Sequence, residues 1–186
     1  MKLAYIDIET GGLSPEYSPI LQLAGMIEVG DKVEMFNYFI KPFEDQKVDQ
    51  KALDVNKLNP SDEKFEYPQI VYGKFIKLLD SYVSKYNKSD KLFFVGYNSN
   101  SFDMPFIRKF FERNWNKYFG SYFWYPSIDV MILAMAKLAN KRHTLPDFKL
   151  GTIAKEFGLN TDKEQYHSGE YDIMITREIY KHLMKG

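Results

Sequence analysis

The chain has 186 residues, 45% hydrophobic and 27% charged, and its 25 basic and 25 acidic side chains cancel. That length and balance fit a single domain over residues 1–186 with a substantial core, and they exclude a disordered chain. The absence of cysteine rules out a disulfide framework and a thiolate metal site. A neutral chain is poorly suited to coat long nucleic acid through many phosphates, so any nucleic-acid footprint should be short, such as a strand end. No apolar run approaches membrane-spanning length, and Asp7 interrupts the N-terminus before a signal sequence can form. A cytoplasmic location is the corresponding expectation.

Leu3-Ala4-Tyr5-Ile6-Asp7-Ile8-Glu9 reads as a strand that stops at Gly11-Gly12. Alternation puts Asp7 and Glu9 on one face and Ile6 and Ile8 on the other, toward a core. Ile20 to Val29 predicts a second strand, Gly30-Asp31-Lys32 a hairpin turn, and Val33 to Ile40 a third strand ended by Pro42. Phe43 to Gln69 is a polar excursion broken by Pro60 and Pro68, with a short amphipathic piece at Ala52–Leu58. Apolar residues at 71, 75, 78, 79 and 82 predict a helix from Ile70 to Tyr86. Leu92 to Gly96 is apolar throughout, as a buried parallel strand would be.

Tyr97 to Ser101 forms a polar loop, and a helix runs from Phe102 to about Lys117, with Asp103 placed to cap it and Pro105 in its first turn. Ser127-Ile128-Asp129 reads as a strand end leading into a helix over Val130–Asn140. Leu145 to Phe157 predicts another helix closed by Gly158, and Glu170 to Met184 predicts the last. Three early strands followed by alternating strand and helix imply an α/β domain with a mixed sheet covered by helices.

Four acids stand where a strand or loop meets a helix: Asp7, Glu9, Asp103 and Asp172. Two carboxylates one strand step apart make a half-site for a hard divalent cation such as Mg²⁺ or Mn²⁺. Each acid also has an ordinary alternative. The first strand would be an edge with one solvated face, Asp103 a helix cap, and Asp172 a first-turn acid favoured by the helix dipole. His167, beside glycine and five residues before Asp172, suits a general base near neutral pH or a solvated loop. His143 and His182 have no partner pattern and read as surface residues, as do Arg108, Lys109, Arg113, Lys141 and Arg142.

Taken in order, Asp7-Ile8-Glu9-Thr10, then Asn98 through Phe102-Asp103, then His167 before Asp172 resemble the three motifs of the DEDD exonucleases. The histidine places the resemblance in the DnaQ-like 3′–5′ branch; the tyrosine branch needs a tyrosine where this chain has Ser168. Ala52–Asn56 and Leu150–Leu159 also look like recurrent segments of that family. There are departures: Gly11 stands where a threonine is usual, and Tyr97 where a histidine is usual. Asn98 precedes Asp103 by five residues, with Asn100 as an alternative for its role.

The resemblance implies a ribonuclease-H-like fold, with a mixed five-stranded sheet flanked by helices. It implies two divalent cations, Mg²⁺ or Mn²⁺, one held by Asp7, Glu9 and Asp172 and a second shared by Asp7 and Asp103. His167 would act as general base, and the products would be nucleoside 5′-monophosphates released from single-stranded 3′ ends. Thr10 and Gly11 would place backbone groups near the terminal nucleotide, Leu13 would wedge against its base, Phe102 would stack on a base or pack in the core, and Asn98 would contact substrate. DNA proofreading, with a polymerase as partner in trans, and oligoribonuclease-like RNA trimming are the two substrate readings. A non-catalytic nucleic-acid- or polymerase-binding module is the competing class.

Overall fold

A computed structural model describes residues 1–160 and 169–185. The alternation in the first strand divides the whole domain. Strand β1 (Lys2–Thr10) sends Ala4, Ile6 and Ile8 into one core layer and Leu3 and Tyr5 into the other. It pairs antiparallel with β2 (Ile20–Val29), which pairs antiparallel with β3 (Lys32–Phe39). On its other side β1 runs parallel to β4 (Phe93–Gly96), which runs parallel to the two-residue β5 (Ile128–Asp129). The sheet order β3-β2-β1-β4-β5 makes β1 the central strand, so the edge-strand alternative for Asp7 and Glu9 falls.

Helices cover both faces. Helices α2 (Pro68–Asp80) and α3 (Asp103–Arg113) pack on the Ile6–Ile8 side. There Phe75, Phe94, Phe111, Phe119 and Phe123 meet largely edge to face, with Phe111–Phe119 centroids 5.3 Å apart at 85°. That layer absorbs much of the aromatic content. Helices α4 (Val130–Lys137), α5 (Leu150–Glu156) and α6 (Gly169–Met184) cover the Leu3–Tyr5 side through Ala134, Ile153, Ile173 and Ile179. The short α1 (Gln50–Asn56) lies within the polar excursion.

Several boundaries differ from sequence expectation. Pro68 opens α2 rather than breaking the chain, since a missing N–H costs nothing in a first turn. That helix stops at Asp80, six residues early: the Ser81 hydroxyl donates to the Leu78 carbonyl, and the Tyr82 and Val83 N–H groups both turn back to Leu79. The turn still buries Tyr82 and Val83 in the core that the helical stripe had pointed to. Helix α3 ends at Arg113 because Trp115 takes a left-handed conformation, φ 60°. Helix α5 begins only at Leu150, beyond Pro146, where Asp147 accepts from the Lys149 N–H and the Thr152 hydroxyl.

Candidate active site

Beyond Tyr5, the next two residues on the same face of β1 are Asp7 and Glu9. The register with β2 slips between Glu9 and Thr10, a bulge that bends the strand end just past the second acid. The Gly11-Gly12 pair then turns the chain tightly: a Cβ on Gly11 would lie 2.8 Å from Pro19 Cγ, and one on Gly12 2.5 Å from the Ser18 hydroxyl oxygen. Gly11 N–H donates to Pro19 O and Gly11 O accepts from Asp49 N–H, while the Asn56 amide donates to Thr10 O and the Thr10 hydroxyl to Gly12 O. Thr10 and Gly11 therefore use these groups inside the protein, where they shape the turn. What the turn presents to solvent is Leu13, 86% exposed.

Parallel pairing of Leu3, Ala4 and Tyr5 with Phe93, Phe94 and Val95 carries the loop after β4 to the end of β1. Asp103 arrives there as the first residue of α3, 4% exposed, and its Oδ1 accepts from the Ile8 N–H at 3.1 Å. It is not the cap of its own helix: that position is Phe102, which makes no capping bond. Phe102 is half-buried, one side packed on Phe106 with centroids 5.1 Å apart. The fourth acid comes from α6, whose Gly169 sits flat on the sheet. A Cβ there would be 2.9 Å from Ala24 Cβ and 3.6 Å from Asp7 Oδ2. This approach brings the first turn of α6, with Asp172, over Asp7.

The four acids form one electrostatic group. Burial first, then Asp103, Asp172 and Glu9, hold the Asp7 carboxyl well above the usual carboxylate range. Burial, then Asp172 and Asp103, push Glu9 up to about 7. Asp103 also rises to about 7 through burial, against the pull of its own N–H and that of Ile8, and with a push from Asp129. Such a set fits hard divalent cations, whose charge would offset the repulsion and whose ligands are oxygens. Among the described residues no three acidic or histidine side chains are already disposed as a ligand set. Drawing mutually repelling carboxylates inward is work that a cation's charge would do. His167 lies outside the described residues.

The loop between β4 and α3 is built on a residue that sequence reading passed over. Asp129, 4% exposed, accepts from the N–H groups of Asn98 and Asn100 (3.1 Å each) and caps α4 through Met131 and Ile132. An acid directly before the apolar run Val130–Leu133 is the available signal, since that is a helix-capping position. Its hold fixes Asn98 in a left-handed conformation, φ 60°. Asn98 and Asp172 line one cavity, whereas Asn100 accepts from the Ser127 hydroxyl at 2.7 Å. Of the two asparagines, Asn98 is the one that shares this cavity with Asp172.

The basic residues read as surface groups are engaged elsewhere. Lys109 pairs with Glu16, Arg113 with Asp45 and Lys141 with Glu156, while Arg108 lies over Phe119 and Arg142 over Phe148. His143 and His182 are exposed, His182 stacking on Phe157.

The RNase_T family model, described as exonuclease, matches residues 5–180. The DNA polymerase III PolC-type of Ureaplasma parvum serovar 3 is 24% identical over 186 residues, spanning 94% of this chain but 11% of the polymerase. Ribonuclease T of Buchnera aphidicola subsp. Baizongia pistaciae is 27% identical, spanning 94% of this chain and 80% of that enzyme. Among solved structures, the zinc-bound form of E. coli exonuclease I with single-stranded DNA superposes with a TM-score of 0.79 at 21% identity. The match covers 99% of this chain and 40% of exonuclease I. The shared architecture is the ribonuclease-H-like fold.

Proposed function

Because the chain belongs to the RNase_T exonuclease family, we propose that it is a metal-dependent 3′–5′ exonuclease acting on single-stranded ends and releasing nucleoside 5′-monophosphates. The observation that carries this reading is the meeting of Asp7, Glu9, Asp103 and Asp172, from three separated parts of the chain, at the end of the central strand, with Asp7, Glu9 and Asp103 pushed toward protonation. Asp7, Glu9 and Asp172 would hold one divalent cation, and Asp7 with Asp103 a second. Mg²⁺ or Mn²⁺ suits these oxygen donors. With the cations held by these carboxylates, the site would gain a nucleophilic water and charge stabilisation for the leaving 3′-oxygen.

The chain's own side chains do the rest. His167 takes a proton from the water as its oxygen bonds to phosphorus and the P–O3′ bond breaks. Leu13 wedges against the terminal base, and Asn98 orients the phosphate from its fixed left-handed position. Phe102 offers its exposed side to a base. Sequence-tolerant apolar contact of this kind suits an enzyme that must accept any base.

DNA ends are the first substrate, in line with the exonuclease I neighbour bound to single-stranded DNA. RNA trimming is the second reading, supported by the ribonuclease T relatives, of which this chain spans 80% and 78%. The polymerase relative, matched over 11% of its length, makes a polymerase a candidate partner. A silent binding module is disfavoured because no liganding acid is missing. No helix among the described residues is long and apolar enough to cross a membrane. The test is a ladder assay on 5′-labelled DNA and RNA with Mg²⁺, Mn²⁺ or EDTA. Stepwise shortening that needs the metal is expected; internal cuts, or no cleavage of either polymer, would refute the proposal.

A further inference from the structure

Resting on that nuclease reading, we propose that Arg113 is a positioning residue. Its guanidinium fastens the turn that carries Leu13 to the helix that carries Asp103, and so sets Leu13 against the acids. It acts through Leu13 and touches neither substrate nor cation.

The turn is a compact piece held from outside. Between Ser14 and Ser18 it closes on itself, the Tyr17 and Ser18 N–H groups both donating to Ser14 O. Leu13, the exposed residue, stands immediately before this closed piece, so a shift at Glu16 passes on to it. The polar excursion after β3 grips the turn: Lys47 N–H donates to Tyr17 O, Asp49 N–H to Gly11 O and the Gln46 amide to Ser18 O. Helix α3 then holds both segments through one side chain. Arg113 Nη1 donates to the two carboxylate oxygens of Asp45 in the excursion, at 2.8 and 3.0 Å. Its Nη2 donates to Glu16 O in the turn at 2.8 Å. One turn back along α3, Lys109 pairs with the Glu16 carboxylate at 2.6 Å.

The consequence of this fork is geometric. The Asp45 side chain is 71% exposed, and exposed ion pairs add little stability. A planar guanidinium nevertheless fixes two acceptors at a set angle, which an ammonium cannot do. The contact is close enough that Arg113 holds the Asp45 carboxyl below the usual carboxylate range. Helix α3 runs from Asp103 to Arg113, about 15 Å at roughly 1.5 Å per residue. Its first residue bonds to the Ile8 N–H of β1, and β1 leads into the Leu13 turn. Strand, helix and turn form a ring that Arg113 closes. Opening it leaves the acids in place and lets Leu13 drift, and a misplacement of about 1 Å can lower a rate by up to about 100-fold.

A double-mutant cycle with Leu13→Ala tests this on a single-stranded hexanucleotide with Mg²⁺. Arg113→Gln should lower kcat/KM about tenfold when Leu13 is present and less than about twofold in the Leu13→Ala background. On a hexanucleotide whose 3′-terminal residue is abasic, leaving Leu13 no base to meet, Arg113→Gln should again change kcat/KM by less than about twofold. Arg113→Lys, which keeps the charge and loses the fork, should fall between wild type and Arg113→Gln. Should Arg113→Gln fail to fold, Asp45→Asn opens the fork from its exposed side and should give the same pattern at about threefold. Equal losses with and without Leu13, equal losses on normal and abasic ends, or a Leu13→Ala variant as fast as wild type would each overturn the role of Arg113 while leaving the nuclease standing. Wild-type protein that hydrolyses no single strand with Mg²⁺ or Mn²⁺ would refute the nuclease reading and this role together.

Discussion

Neutralising one acid of the cluster should stabilise the protein when no divalent cation is present. Glu9→Gln keeps the size and shape of the side chain and removes its charge. Glu9 moves from an ordinary value of 4.5 to about 7 in the fold, chiefly through burial and then through Asp172 and Asp103. At about 1.4 kcal/mol per pH unit, holding it charged costs the folded state roughly 3 kcal/mol. Partial solvent access screens some of this, leaving about 1–2 kcal/mol. For a domain of this size that is about 3–6 °C in Tm. The sign follows from the raised value: below 4.5 the group is neutral folded or unfolded and costs nothing. The cost grows as pH rises between 4.5 and about 7, and above that it is constant. Thermal unfolding in EDTA should therefore show Glu9→Gln level with wild type near pH 4 and above it at pH 8. Mg²⁺ should then stabilise wild type more than the variant. A variant that is less stable at pH 8, or a difference that does not vary with pH, would mean Glu9 does not face the other acids.

Asp7→Asn should lower hydrolysis by at least about 100-fold, since Asp7 is assigned to both cations, while circular dichroism stays unchanged. Its Tm in EDTA should rise, because burial and three acids oppose the Asp7 charge. His167→Ala should slow turnover by about 100- to 10,000-fold and flatten the pH–rate profile near neutrality; an undiminished rate would assign the proton transfer to another group. Asp129→Ala leaves four backbone N–H donors without their carboxylate acceptor. It should cost on the order of 2–4 kcal/mol in urea unfolding and raise KM as the Asn98 loop loosens, with Asp129→Asn recovering part of both.

The sequence makes the central strand legible because its signal is local. Two acids at alternate positions in an apolar run can be read without knowing any neighbour, and Asp7 and Glu9 sit where that alternation puts them. Asp103 and Asp172 are different. In one dimension each is a helix-start acid like any other, and only their order relative to Asp7-Ile8-Glu9-Thr10 singles them out. The same ambiguity hides Asp129, which is a helix cap and also the anchor of the loop that presents Asn98. A cap bonds N–H groups two and three residues away, and propensity foresees that; the bonds to Asn98 and Asn100, 31 and 29 residues earlier, depend on the pairing of β4 with β5. Helix ends fail for a related reason. The apolar spacing that predicts α2 continues through Tyr82, but Tyr82 and Val83 reach the same core from a turn. Periodicity records which side chains are buried and says less about the backbone that delivers them.

The placement of these acids ties the site to the fold through backbone more than through side chains. Asp103 is held by an N–H of β1 itself, so the strand carrying Asp7 and Glu9 also grips the third acid. Asp172 depends on how closely α6 can lie on the sheet, which Gly169 permits and a Cβ 2.9 Å from Ala24 would oppose. The resulting cluster is costly without cations, and its cost is carried by a sheet buried on both faces, with Ile6 and Ile8 locked in one layer and Tyr5 in the other. A surface loop could not hold carboxylates against their mutual repulsion, because it would simply move them into water. A central strand cannot yield in that way. Its rigidity keeps Asp7 and Glu9 at the strand end, so that the proposed cations would have only short side-chain movements to complete.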